Sequence, residues 1–300
     1  MLNYPSKREV IFRLKKIVTL VIIVLLAIPV SVAFGSSKHH DDAPNASVVL
    51  VHGAWADGSS WNGVIARLQD QGYTVYTPPN PLRGLASDSA YLASFLNTLT
   101  GPIILVGHSY GGAVITNAAA GNTNVKALVF IDAFAPDQGE SLQSLSSVPP
   151  PPGQTASCLA GDPTQLFNFV PIPNTQDVDL YIKQSIFPSC FANDLLMEKA
   201  SFLASTARPL AFSTFSDESG LPAWKTIPSW YLVGTIDKVI PPFAQLFMAQ
   251  RINAHISMVR GSHLVMISHP GVVIDLIDQA NQSIQGDSSD SQQTLAPITV

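Results

Sequence analysis

Charge is scarce in this chain, and cysteine is nearly absent. Asp, Glu, Lys and Arg make up 12% of its 300 residues, and there are two cysteines. So few charges beside 46% hydrophobic residues exclude a disordered or highly solvated chain. No basic patch is present and the formal net charge is −5, which argues against a nucleic-acid partner. Cys158 and Cys190 are too few for a disulfide framework, and no metal-ligand spacing occurs. His39-His40-Asp41-Asp42 has metal-binding side chains but lies in a polar stretch and reads as solvated linker. No metal and no cofactor are expected.

Residues 1–35 have the order of an export signal. Lys7, Arg8, Arg13, Lys15 and Lys16 precede an apolar run from Ile17 to Phe34, and Ala33, Gly35 and Ser36 supply small residues for cleavage. A retained membrane anchor is the alternative, because the run is just long enough to span a bilayer. Either way the rest of the chain is expected outside the cytoplasm, periplasmic or secreted. After a linker at 36–45, residues 46–284 suit one large domain. Residues 285–300 are polar and expected to be disordered.

Strands and helices alternate from residue 47. Strands are predicted at Ser47–His52, Tyr73–Thr77, Ile103–Val106, Val125–Asp132, Trp230–Gly234 and His255–Val259. Helices are predicted at Ser60–Gln71, at Asp88–Leu99 with Asp88 as N-cap, from the serine turn to Ala120, near Phe243–Arg251, and at Val272–Ser283. Continuous apolar strands joined by helices imply an α/β fold with a parallel sheet covered on both faces, its loops of interest at the carboxyl ends of the strands. Residues 136–222 break this rhythm with Pro149–Pro152 and a scatter of aromatics, and are expected to form a mainly helical cap. Cys158 and Cys190 both fall there. A disulfide between them would stabilise the fold by about 3 kcal/mol in the chain-entropy account, and two free buried thiols are the alternative.

Gly107-His108-Ser109-Tyr110-Gly111 follows a four-residue apolar run and precedes a small-residue helix. A bare G-x-S-x-G is a weak signal in a chain with 19 glycines, but strand before and helix after make it a nucleophile elbow. The glycines leave room where strand end and helix start nearly touch. Serine needs a base, and the base needs an orienting acid. Asp237 follows the Trp230–Gly234 strand, and His263 follows His255–Val259. Asp132 also ends a strand and is the alternative acid. Among the other histidines, His39 and His40 are in the linker, and His52 and His108 sit beside turn glycines. His255 is inside a strand, and His269 precedes Pro270. The oxyanion donors are expected to be the N–H groups of Tyr110 and of Ala54, with Trp55 as runner-up.

Val49–Trp55, Gly107–Gly112 and Gly261–Met266 together resemble the α/β-hydrolase fold, in the branch of plant methylesterases, hydroxynitrile lyases and many bacterial esterases. The resemblance covers about residues 46–283. The cyanohydrin lyases carry threonine at the position of Gly53 and lysine after the catalytic histidine, where this chain has Leu264. Haloalkane dehalogenases and epoxide hydrolases use aspartate at the position of Ser109. The resemblance therefore implies a serine carboxylesterase with Ser109, Asp237 and His263 as its triad, acting through an acyl-enzyme. An apolar cap suggests neutral, hydrophobic or aromatic esters as small-molecule substrates. A non-turnover receptor of this fold, or cofactor-free perhydrolase or haloperoxidase chemistry, stays open. Asn45-Ala46-Ser47 and Asn281-Gln282-Ser283 also match glycosylation acceptors.

Overall fold

The structure, a computed structural model, describes residues 45–293, with side chains through residue 286. The expected leader, the His39–Asp42 motif, most of the linker and residues 294–300 lie outside the described residues. Among the described residues no helix is long and apolar enough to cross a membrane.

The first half alternates as its periodicity dictates. Strand β1 (Ser47–Val51) leads through a short 3-10 turn at Gly58–Trp61 into helix α1 (Asn62–Asp70). Strand β2 (Val75–Tyr76), helix α2 (Leu85–Leu96), strand β3 (Ile103–His108), helix α3 (Tyr110–Ala118) and strand β4 (Val125–Ile131) follow. Helix α2 starts three residues before the expected N-cap. Asp88 is not a cap but a buried member of the first turn, accepting the Arg83 N–H and the Tyr110 hydroxyl. The helix begins instead from Gly84, whose φ of +149° few other residues adopt.

The insertion contains helices α4 (Leu142–Ser146) and α5 (Pro163–Leu166), strands β5 (Phe167–Pro171) and β6 (Val178–Ile182), helices α6 (Phe187–Cys190) and α7 (Met197–Thr206), and strand β7 (Leu210–Ala211). A three-stranded antiparallel sheet in the order β5-β6-β7 sits among these helices, so the expected mainly helical cap also carries a small sheet of its own. Phe167, Phe169, Val178, Leu180 and Ile182 suit pleated pairing, and Asn174, with φ +64°, turns the chain between β5 and β6.

Strand β8 (Ser229–Gly234), helix α8 (Pro242–Arg251), strand β9 (His255–Val259), helix α9 (Val265–Ser268) and helix α10 (Pro270–Gln293) complete the chain. Helix α10 runs beyond Ser283 and through residues 285–293 of the expected disordered tail. Ile284 still packs on the core, and no proline stops the helix. The six long-range strands form one sheet in the order β2-β1-β3-β4-β8-β9, with every pair parallel. Strands β1, β3, β4 and β8 are buried on both faces, as their unbroken apolar runs require. The loops after β1, β3, β4, β8 and β9 therefore emerge at the same edge of the sheet.

Candidate active site

Ser109 sits at the join of β3 and α3 with φ +52° and ψ −123°, a conformation that L residues rarely adopt. The strain is held by neighbours. The Ser109 N–H donates to the Ile131 carbonyl at 3.2 Å, and its own carbonyl accepts from Phe134 N–H at 3.1 Å. A Cβ on Gly107 would lie 2.6 Å from the Gly111 carbonyl oxygen, so that position must be glycine. Helix α3 begins at Tyr110, and its dipole points at the serine.

The Ser109 hydroxyl lies 2.9 Å from His263 Nε2, and His263 Nδ1 lies 2.8 Å from Asp237 Oδ2. All three are buried. A carboxylate facing Nδ1 fixes the proton there and leaves Nε2 as an acceptor for the serine O–H. Asp237 is itself held from three sides. Its Oδ1 accepts from the N–H groups of Val239 at 2.7 Å and Ile240 at 3.1 Å. Its Oδ2 accepts from Gln245 Nε2 at 2.8 Å as well as from His263.

Asp132, the alternative acid, is placed differently. Its Oδ1 accepts the Gly234 N–H at 2.6 Å, its Oδ2 has no partner, and it does not meet the imidazole. Full burial, with the Asp237 charge nearby, pushes its carboxyl well above the ordinary range. Two buried neighbouring carboxylates resist ionising together, and Asp237 has the donors.

The N–H groups of Ala54 and Tyr110 are engaged by no protein acceptor among the described residues. Both flank the serine. Gly53 lets the first loop approach, since a Cβ there would fall 2.7 Å from Ser109 Cβ. His52 shapes that loop: Nδ1 donates to the Gly53 carbonyl at 2.9 Å, and Nε2 accepts the Asn80 N–H at 3.1 Å. His108 donates from Nε2 to the His263 carbonyl at 2.8 Å. Burial lowers the pKa of both His52 and His108, so both are neutral spacers rather than bases. Tyr110 is anchored through its hydroxyl to Asp88 at 2.8 Å.

Aromatic rings roof the serine. Trp55 stacks on Phe167 at 5.4 Å and meets Phe191 edge-on at 5.5 Å, and its indole N–H donates to the Leu180 carbonyl of the cap sheet at 2.8 Å. Phe191 in turn sets its edge against the His263 ring at 5.5 Å. Cys158 and Cys190 are joined in a disulfide between two segments of the cap, and the Cys158 N–H donates to the Lys238 carbonyl in the loop after β8 at 2.7 Å.

The model of the alpha/beta hydrolase family matches residues 48–276. The chain belongs to this family. A carbendazim-hydrolysing esterase of Nocardioides sp. (strain SG-4G) is 36% identical over 129 residues, covering 39% of this chain and 53% of that protein. The chain thus spans about half the length of that relative. An alpha/beta hydrolase of Aspergillus novofumigatus (strain IBT 16806) is 25% identical over 264 residues, 78% of this chain and 96% of the other. A pyrethroid hydrolase from Sphingobium faniae JZ-2 shares the fold with a TM-score of 0.63 at 20% identity, covering 78% of this chain and 97% of the other.

Sequence reasoning missed three polar residues that grip this family member's site. Gln245 is fully buried and bridges Asp237 Oδ2 and the Ile240 carbonyl. Asn193 and Asp194 reach from the cap to Ile236 and Ser262, each one residue before a member of the Asp237–His263 pair. An amide on a helix and two polar residues in an irregular loop carry no local signature of such contacts.

Proposed function

We propose that this protein is an exported serine carboxylic-ester hydrolase. The observation that carries the reading is the unbroken hydrogen-bonded chain Ser109–His263–Asp237 beside two unengaged backbone N–H groups. In the first half-reaction His263 Nε2 takes the Ser109 proton as Oγ bonds to the ester carbonyl carbon. The carbonyl pair moves onto oxygen, which the N–H groups of Tyr110 and Ala54 hold. The pair then returns, the C–O bond of the alcohol breaks, and His263 gives its proton to the leaving oxygen. In the second half water replaces serine as the nucleophile and the acid departs. Asp237 stabilises the imidazolium throughout and keeps its own charge. No resident metal or cofactor enters these steps.

The aromatic cluster of Trp55, Phe167 and Phe191 supports neutral, hydrophobic or aromatic esters as substrates. The names of the carbendazim-hydrolysing and pyrethroid-hydrolysing relatives point the same way. Export rests on the basic-apolar-small order of residues 1–35.

The test is a chromogenic short-chain ester with a fluorophosphonate probe, applied to the wild type and to Ser109→Ala. Turnover and labelling by the wild type, both lost in the variant, support the reading. A wild type that neither labels nor turns over supports a binding protein instead, a role that the 4% exposure of Ser109 beneath its roof would suit.

A further inference from the structure

The geometry points to Asp194 of the cap as a positioning residue for His263, part of a clamp through which the cap holds both the acid and the base. The inference rests on the reading of His263 as the base that activates Ser109.

The clamp is one short stretch of chain, Cys190 to Asp194. At its far end, Asp194 Oδ2 accepts the Ser262 N–H at 2.9 Å, and Oδ1 accepts the Ser262 hydroxyl. That hydroxyl oxygen also accepts the Leu264 N–H at 3.4 Å. The carboxylate therefore fixes the backbone on both sides of His263, directly before it and, through Ser262, directly after it. Asn193 Nδ2 donates to the Ile236 carbonyl at 3.1 Å, one residue before Asp237. Phe191 packs its edge on the imidazole. Cys190 is bonded to Cys158, whose N–H donates to the Lys238 carbonyl at 2.7 Å, one residue after Asp237. Ser157 adds a hydroxyl bond to the Val239 carbonyl at 2.7 Å.

Both loops that carry the acid and base are thus held from the cap, on each side of the functional residue. The Asp194 side chain is 10% exposed, and burial alone would push its carboxyl up. The Ser262 donors outweigh burial and hold it below the ordinary range, so it is charged at neutral pH. The imidazole of His269 faces it, with Nδ1 3.9 Å away and 2.8 Å from the Ser268 hydroxyl. A largely buried carboxylate spent on the N–H and hydroxyl of the residue before the base, rather than on a lysine or arginine, suits a positioning device.

The experiment compares Asp194→Ala and Asp194→Asn with the wild type. Two quantities are read: kcat and KM on a small chromogenic ester, and the downfield proton resonance of the His263 Nδ1–H. Asp194→Ala should lower kcat about 10- to 100-fold while KM stays within about threefold, because the base is misplaced but the substrate site is intact. Asp194→Asn should recover most of the loss, since its amide oxygen still accepts the Ser262 N–H and its NH2 can face the Ser262 oxygen. The downfield proton should broaden or vanish in Asp194→Ala and persist in Asp194→Asn. If Asp194→Ala does not fold, Ser262→Ala removes the hydroxyl half of the contact alone and should show a smaller fall in kcat.

A kcat within about twofold of wild type in folded Asp194→Ala overturns the inference. So does equal loss in both variants with a raised KM, which would make Asp194 a substrate contact. Should the wild type itself be inert toward ester and probe, the proposed function fails alone. The resonance then decides: its loss only in Asp194→Ala supports the clamp, and its persistence there overturns it.

Discussion

Gln245 donates to the same oxygen of Asp237 that faces His263, at 2.8 Å. The amide has no freedom to turn, because its other N–H contact is the Ile240 carbonyl at 2.8 Å. Asp237 is therefore aimed by a residue eight positions further on, lying on helix α8. Replacing Gln245 by leucine keeps the volume and removes both donations. The carboxylate loses one of its orienting bonds, and kcat should fall about tenfold with little change in KM. Two buried acceptors also lose a donor, so stability should fall by about 1–3 kcal/mol. Steady-state kinetics and urea unfolding check the two parts separately. Unchanged kcat in a destabilised variant would make Gln245 purely structural.

Gly53 marks the tightest approach to the serine. A methyl there would sit 2.7 Å from Ser109 Cβ and 2.9 Å from the His108 carbonyl, both on the rigid elbow. The first loop must retreat, and Ala54 N–H retreats with it. Gly53→Ala should therefore lower kcat/KM about 100-fold, the loss expected for one oxyanion donor. Fluorophosphonate labelling should slow in parallel, because the probe needs the same N–H groups. Wild-type rates in this variant would remove Ala54 from the proposed oxyanion site.

The parts of this site that the sequence made readable are those built by local rules. Ser109 is framed by glycines in one turn, and Asp237 and His263 each follow a run of strand residues. Gln245, Asn193 and Asp194 act across 8, 43 and 68 residues, and nothing near them in the chain records it. The cap sheet was hidden for a similar reason. Strands β5 and β6 are five residues each and lie among prolines and turns, so the pairing and not the propensity defines them. Asp88 looked like a helix cap because its partner Tyr110 lies 22 residues away. Asn281 matched a glycosylation acceptor, yet it is buried and bonded to Ala46 and Asn45.

Asp132 should make the fold lose stability as pH rises. Its folded pKa lies above the ordinary 3.8, so between the two values the folded chain keeps a proton that the unfolded chain has released. Stability then declines with rising pH through that window, by up to about 1.4 kcal/mol per unit. Asp132→Asn keeps the Oδ1 acceptor for Gly234 N–H and removes the titration. Its urea midpoint should match the wild type near pH 4 and exceed it at pH 8. A constant difference at both values would contradict a neutral Asp132. Ester turnover should fall far more in Asp237→Asn than in this variant.

His52 and His108 act in the opposite sense and win below neutrality. Burial holds both folded pKa values under the ordinary 6.5. As pH falls below 6.5 the unfolded imidazoles take protons that the folded ones refuse, so stability drops. Two such groups give up to about 2.7 kcal/mol per unit, against about 1.4 per unit gained from Asp132 in the same range. The net slope is a loss as pH falls just below 6.5, where both folded imidazoles refuse protons that the unfolded ones take. Urea midpoints across that range should decrease, and His52→Asn, which removes one of the two protons taken up, should flatten the decrease. Rising stability over this interval would mean that the histidines are not held neutral.

Reducing the Cys158–Cys190 disulfide should damage activity before it unfolds the protein. The bond closes a loop of sequence separation 32, and in the chain-entropy account its loss removes about 3 to 4 kcal/mol. A domain with a core this large can stay folded without it. What it loses first is local. Cys190 ends helix α6, next to the Phe191 ring that packs on His263, and Cys158 bonds the Lys238 carbonyl beside Asp237. Once the bond is cut, Cys158 and the Cys190–Asp194 stretch can separate while the parallel sheet stays intact. Ester turnover should fall on titration with a thiol reductant, with the far-ultraviolet dichroism unchanged, and reoxidation should restore it. Cys158→Ala/Cys190→Ala should show the same low activity and no response to reductant. If activity and dichroism are instead lost together, the bond holds the whole fold, and its link to the acid and base loops has no separate effect.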